Sequence, residues 1–179
     1  MDAVADLFTR VTATTESFMV LVVSAAFLVG LFASFVGIRK VATSGGASVG
    51  DAMARERSIG FAAIIGGAFL LAFPALLAIT GPTLFDAPTT DTSAIFDLAP
   101  GMTEVFSDPR ARTVLTTCLL LIQLIGAIAI FRALSLFMKA PYHPGMGLYG
   151  RAATHLFGGA LAWNIVLFTE PIEQLFLGT

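Results

Sequence analysis

The chain has 179 residues, 56% hydrophobic and 12% charged, with a mean hydropathy of +0.87, which excludes an ordinary water-soluble domain and makes the number of membrane spans the first question. A formal charge of −2 offers no broad basic field, so no direct contact with nucleic acid is expected. The single cysteine, Cys118, excludes a disulfide within the chain and leaves the redox compartment unread.

The first residues, MDAVADLFTR, are acidic and polar where a secretory signal would be basic and then apolar, so the first span is expected to be retained as an anchor. Val4, Leu7, Phe8 and Val11 stand at i, i+3, i+4 and i+7 and form one apolar stripe. Residues 1–16 therefore read as a short amphipathic helix on the membrane surface, or alternatively as a continuation of the first span. That span is expected from Ser17 to Ile38, with small residues at every fourth position, Ala26, Gly30 and Ser34, a spacing that permits close helix contact. The polar stretch from Val41 to Ser58 carries Asp51, Arg55, Glu56 and Arg57 and reads as a solvated turn, with a docking surface for a cytoplasmic partner as the alternative.

The second span is expected from Ile59 to Thr80. It contains Gly60, Gly66, Gly67 and Pro74, and the proline predicts a bend between Leu70 and Pro74, because it removes one hydrogen bond and its ring crowds the preceding turn. From Gly81 to Thr113 the character changes: four of the prolines and five acidic residues gather there. This reads as an extramembrane loop whose Leu84, Phe85, Ile95, Phe96, Leu98, Val105 and Phe106 rest on the membrane interface or on a neighbouring subunit.

The third span, Val114 to Phe137, places Gln123 in its middle and Arg132 toward its end. The turn KAPYHPGMGLYGR follows, with Pro141 and Pro144 stopping the helix, glycines allowing a tight path, and Tyr142 and Tyr149 suited to a headgroup boundary. The fourth span, Ala152 to Thr169, carries Thr154, His155, Gly158, Gly159 and Asn164. At ~100° per residue His155 and Gly159 share a face, and Asn164 points nearly opposite. A helix that is polar on two sides has no face suited to lipid, so it is expected to be enclosed by neighbours. Counted from the cytoplasmic end at ~1.5 Å per residue, Gln123 and Asn164 lie ~20 and ~18 Å deep, and Arg132 and His155 both ~5 Å. Two polar rungs between the last two spans are thus expected. Arg132 has a second reading, snorkelling to headgroups, and His155 reads first as a hydrogen-bonded packing residue. Trp163 reads as packing.

All four runs are long enough to cross a bilayer and are continuous rather than alternating, which selects helices over a closed barrel. Of the ten basic residues, Arg39, Lys40, Arg55, Arg57, Arg132, Lys139 and Arg151 fall on one side and Arg10, Arg110 and Arg112 on the other. Basic loops stay cytoplasmic, so both termini and the middle loop are expected outside the cytoplasm. A shift of 92 positions lays Gly66-Gly67-Ala68 on Gly158-Gly159-Ala160 and Ile38 on Ile130, a pattern of parallel repeats. The expected fold is an all-α integral membrane protein, with four transmembrane helices as two parallel-repeat hairpins and an N-terminal interfacial helix. Its segments are 1–16, the hairpin 17–80, the loop 81–113 and the hairpin 114–179. Because the first hairpin has apolar residues where the second has Gln123 and Asn164, specific contacts are expected to concentrate in the second.

The second hairpin carries a further pattern: Phe131-Arg132, then Gly150, Thr154, His155, Gly158, Gly159, Leu161, Ala162, Asn164 and Ile165. It resembles the IcmC/DotE-like small inner-membrane proteins of type IVB (Dot/Icm, IncI-type conjugation) secretion systems, over roughly the last third of the chain. The acidic loop is not covered by the resemblance. What the resemblance implies is a non-enzymatic, multi-pass subunit of a bacterial inner membrane, with other secretion or conjugation membrane subunits as partners. Homo-oligomerisation and lipid are further expected partners. Gln123, Arg132, Thr154, His155, Gly158, Gly159 and Asn164 are the expected helix contact residues, with no catalytic residue, cofactor or metal ligand. Two other readings stay open: a small oligomeric pore or transporter in which Gln123, His155 and Asn164 line an aqueous path, and a pilus-like filament subunit stacked with bound lipid. An intramembrane enzyme ranks below both, since no ionisable pair sits together at depth.

Overall fold

A computed structural model describes residues 2–44, 51–85 and 108–168. Ile95, Phe96, Leu98, Val105 and Phe106 of the middle loop lie outside the described residues. All regular structure among the described residues is helical: α1 (Asp2–Thr43), α2 (Asp51–Leu71), α3 (Phe73–Phe85), α4 (Pro109–Lys139) and α5 (Leu148–Trp163), with 3₁₀ turns at Ala140–Tyr142 and Ile165–Phe168. Two stretches, Asp6–Thr43 and Pro109–Tyr142, are long and apolar enough to cross a membrane. The pair Ala54–Leu71 and Phe73–Thr80 qualifies as a third when taken together, bent by 72°.

The helix boundaries depart from the expected spans for local reasons. No break separates residues 1–16 from the first span; α1 runs 42 residues without interruption, about 63 Å, and the separate interfacial helix is corrected to the N-terminal part of one rod. The stretch from Asp2 to Val29 holds neither glycine nor proline. Its hydroxyls also fold back: Thr12 donates to Phe8 O, Thr14 to Arg10 O, Thr15 to Val11 O and Ser17 to Ala13 O, so no side chain competes for a helix end. The bend expected from Pro74 is present, and the helix resumes at Phe73. It continues past Thr80 to Phe85, through Gly81 and Pro82. Helix α4 begins at Pro109, upstream of the expected Val114, because Asp108 caps it: the Arg110 amide donates to Asp108 Oδ1 at 3.0 Å, and proline is suited to the first helical position.

The chain packs as two compact units, one of Met1–Leu21, Leu77–Ala127 and Gly159–Thr179, the other of Val22–Leu76 and Ile128–Gly158. In the second unit α1 meets α2 almost backbone to backbone. A Cβ on Gly37 would stand 2.7 Å from Gly60 O, and one on Gly30 would stand 2.7 Å from Gly67 O. The Ala26, Gly30 and Ser34 stripe faces this seam, with Ala26 fully buried and Ser34 against Gly67. Such closeness maximises dispersion contact where lipid supplies no hydrophobic drive between helices. Phe73 is buried with its ring edge-on to Phe131 at 6.5 Å.

In the first unit Leu119 and Val166 form a small core with Leu115 and Ile165 against it. The Thr12 and Thr117 hydroxyls share a hydrogen bond of 2.9 Å, which joins α1 to α4. Large apolar side chains remain outside, among them Phe32 at 71% and Phe35 at 67% exposed on α1. Water would penalise that surface at about 25 cal/mol per Å², whereas hydrocarbon would not.

Candidate functional site

Helix α5 closes on α4 near its C-terminal end. Glycines make the contact: a Cβ on Gly126 of α4 would stand 2.6 Å from Trp163 N and 2.8 Å from Gly159 O. Gly159 is buried in this seam, and Ala160 is buried as well. Gly150, Thr154 and Gly158 are exposed, and nothing lies within 4 Å of a Cβ on Gly150 or Gly158. Thr154 donates its hydroxyl to Gly150 O at 3.0 Å, so its polarity is satisfied inside the helix. His155 is half-buried.

Asn164 lies at the C-terminal end of α5. The α-helix ends at Trp163 and a 3₁₀ turn follows, with Leu167 N donating to Asn164 O at 3.0 Å. Ala160 O receives both the Asn164 amide at 3.1 Å and the Asn164 side-chain Nδ2 at 2.8 Å. Asn164 is fully buried and its Nδ2 also donates to Thr80 Oγ1 of α3 at 3.0 Å, while Thr80 donates onward to Leu77 O.

Gln123 is buried at 5% exposure, and Asn164 has as one partner Thr80, which stands at the end of the expected second span. Arg132 is exposed. Trp163 Nε1 and Asn164 Oδ1 are buried with no hydrogen-bond partner among the described residues; an unmet buried group costs about 1–3 kcal/mol. A double-mutant cycle of Thr80→Val and Asn164→Leu should give a coupling of about 0.6–1.7 kcal/mol, the range of measured interhelical hydrogen bonds in membranes. Reversible unfolding in bicelles measures it, and strictly additive single effects would mean that the two side chains do not meet.

The second unit gathers basic groups around the turn after α4. Lys40 lies 4.8 Å over the Tyr142 ring, Arg55 donates to Tyr142 O at 2.9 Å, and Arg57 donates to Ser44 O at 3.3 Å. Gly145 and Gly147 of this turn have φ of 94° and 63°, the left-handed region that glycine enters without strain. Pro141 is the second residue of the 3₁₀ turn, Ala140–Tyr142, that follows α4. Phe137 and Tyr149 stack edge-on at 5.9 Å across the turn. Among the described residues no group of three or more His, Cys, Asp or Glu is placed to hold a metal ion, and Cys118 is exposed and free.

Comparison of the chain with known protein families, with curated proteins and with solved structures finds no match.

Proposed function

We propose that this chain is a non-enzymatic structural subunit of a type IVB secretion or conjugative transfer apparatus in a bacterial inner membrane, acting through helix contacts. In this reading the chain crosses four times as two parallel-repeat hairpins: α1, the bent α2 and α3 pair, α4, and α5 with its 3₁₀ extension. The basic turns lie in the cytoplasm and both termini lie outside it.

One observation supports the reading above others. The residues that carry the resemblance divide between two sides of α5: Gly159 and Asn164 are used within the chain, and Gly150, Thr154 and Gly158 are left exposed. A side lined by two glycines and a self-satisfied threonine lets a second backbone approach closely. That is a surface suited to a neighbouring subunit, and the partner is another membrane component of the apparatus or a second copy of this chain.

Gly158→Leu tests this. Because the site is open, the variant should insert and fold as wild type, by alkaline carbonate extraction and circular dichroism. Crosslinking pull-down from native membrane should lose the neighbouring subunits, and transfer should fall at least about tenfold, the factor equal to ~1.4 kcal/mol of lost contact. Full assembly and transfer in Gly158→Leu would refute the role given to this side of α5.

A further inference from the structure

We infer that the second unit carries a binding groove for one anionic phospholipid, with its acyl chain between α1 and α4 and its headgroup on Lys139 and Lys40. The inference rests on residence in a membrane and is independent of the secretion machine. A groove of about 300 Å³ is walled by Ala33 and Val36 of α1 and Phe131 and Ser135 of α4, and Lys139 and Tyr142 line it as well. From Phe131 to Lys139 it follows about 12 Å of helix, close to the ~15 Å of hydrocarbon in one leaflet. The groove therefore has the depth of one leaflet and reaches a charged end at its boundary.

The wall offers an acyl chain nothing polar to desolvate. Ser135 donates its hydroxyl to Phe131 O at 3.0 Å, so it is already satisfied. Phe32, on the groove's edge, is 71% exposed, which leaves it open along its side.

The boundary end has the opposite chemistry. Lys40 lies over the Tyr142 ring at 4.8 Å, and Arg55 pins the backbone of that turn through Tyr142 O at 2.9 Å. Neither Lys40 nor Lys139 forms an ion pair among the described residues, where the ion pair seen is Arg10 with Asp6. Two lysine ammoniums without carboxylates, at the headgroup level of an apolar groove, complement a phosphate. Each such lysine favours an anionic surface by ~1 kcal/mol, roughly fivefold in binding.

The test uses full-length protein in vesicles of phosphatidylcholine with trace spin-labelled phosphatidylglycerol or spin-labelled phosphatidylcholine, reading the motionally restricted fraction by electron spin resonance. Wild type should restrict phosphatidylglycerol more strongly than phosphatidylcholine. Lys139→Gln and Lys40→Gln should each lower that preference about fivefold and leave the phosphatidylcholine fraction unchanged. Ala33→Leu fills the groove at constant charge and should lower restriction of both lipids; Ser135→Leu, from the opposite wall, gives the same reading if Ala33→Leu does not fold.

A wild-type preference retained in both lysine variants would overturn the inference, as would unaltered restriction in the folded groove variants. Loss of preference for every variant and for wild type alike would also overturn it, because the lysines would then select nothing. Alkaline extraction of wild type is the separate check on membrane residence. A chain released by carbonate fails the membrane reading itself, whereas a retained chain with no lipid preference fails only the groove.

Discussion

Gly37→Leu should separate α1 from α2 and lower stability by about 3 kcal/mol, the upper range for side chains forced into a filled interface. The Cβ alone would meet Gly60 O at 2.7 Å, Ile64 Cγ1 at 2.8 Å and Ile64 N at 2.9 Å. Two of those three atoms are backbone, so no rotamer change can make room. Relief requires the helices to move apart, and the neighbouring Gly30 and Gly67 contact then opens as well. Gly66→Ala supplies the control. Its Cβ faces the Met138 side chain, and methionine has rotatable bonds by which to shift, so Gly66→Ala should cost less than Gly37→Leu. Reversible unfolding in bicelles distinguishes the two, and equal costs for Gly37→Leu and Gly66→Ala would mean that α1 and α2 are not in backbone contact.

Gly126→Leu is the corresponding lesion in the first unit. A Cβ there meets Trp163 N at 2.6 Å, Gly159 O at 2.8 Å and the Ala162 carbonyl carbon at 3.0 Å, all backbone. The substitution should cost about 3 kcal/mol, and it should do so by lifting the end of α5 from α4. Asn164 sits at that end, so its bond to Thr80 at 3.0 Å is expected to be lost in the same variant. Cysteines placed at Thr80 and Asn164 would report the loss as a drop in disulfide formation. Contrast Gly158→Ala: the site is open, and alanine in a helix interior is favoured over glycine by about 1 kcal/mol, so the chain alone should gain stability. A large loss of stability in Gly158→Ala, or none in Gly126→Leu, would contradict the packing of α5 described above.

Much of the fold could be read from the chain because hydropathy and helix breakers act locally. The apolar runs mark the helices, Pro74 marks the bend, and Pro141 with Gly145 and Gly147 marks the turn after α4. The small-residue stripe Ala26, Gly30 and Ser34 falls on a real seam. Its continuation at Gly37, and the partner Gly60, carried no signal of their own, since glycine is frequent in membrane helices and only the facing backbone tells which glycine is needed. The expectation that specific contacts concentrate in the second hairpin overlooked this: α1 and α2 approach through four glycines, a contact with no polar residue to announce it.

By itself the sequence determined that the described segments are helical and apolar, where the bend at Pro74 and the turn after α4 fall, and which residues carry hydrogen-bonding side chains. Those properties depend on each residue and its near neighbours. Tertiary structure alone decided which groups meet. Asn164 joins Thr80 of α3, a pairing between distant segments that no count along a single helix can supply. Gly159 is consumed in a seam and Gly158, its neighbour, is left open, since a single step of ~100° moves a residue from one side of a helix toward another.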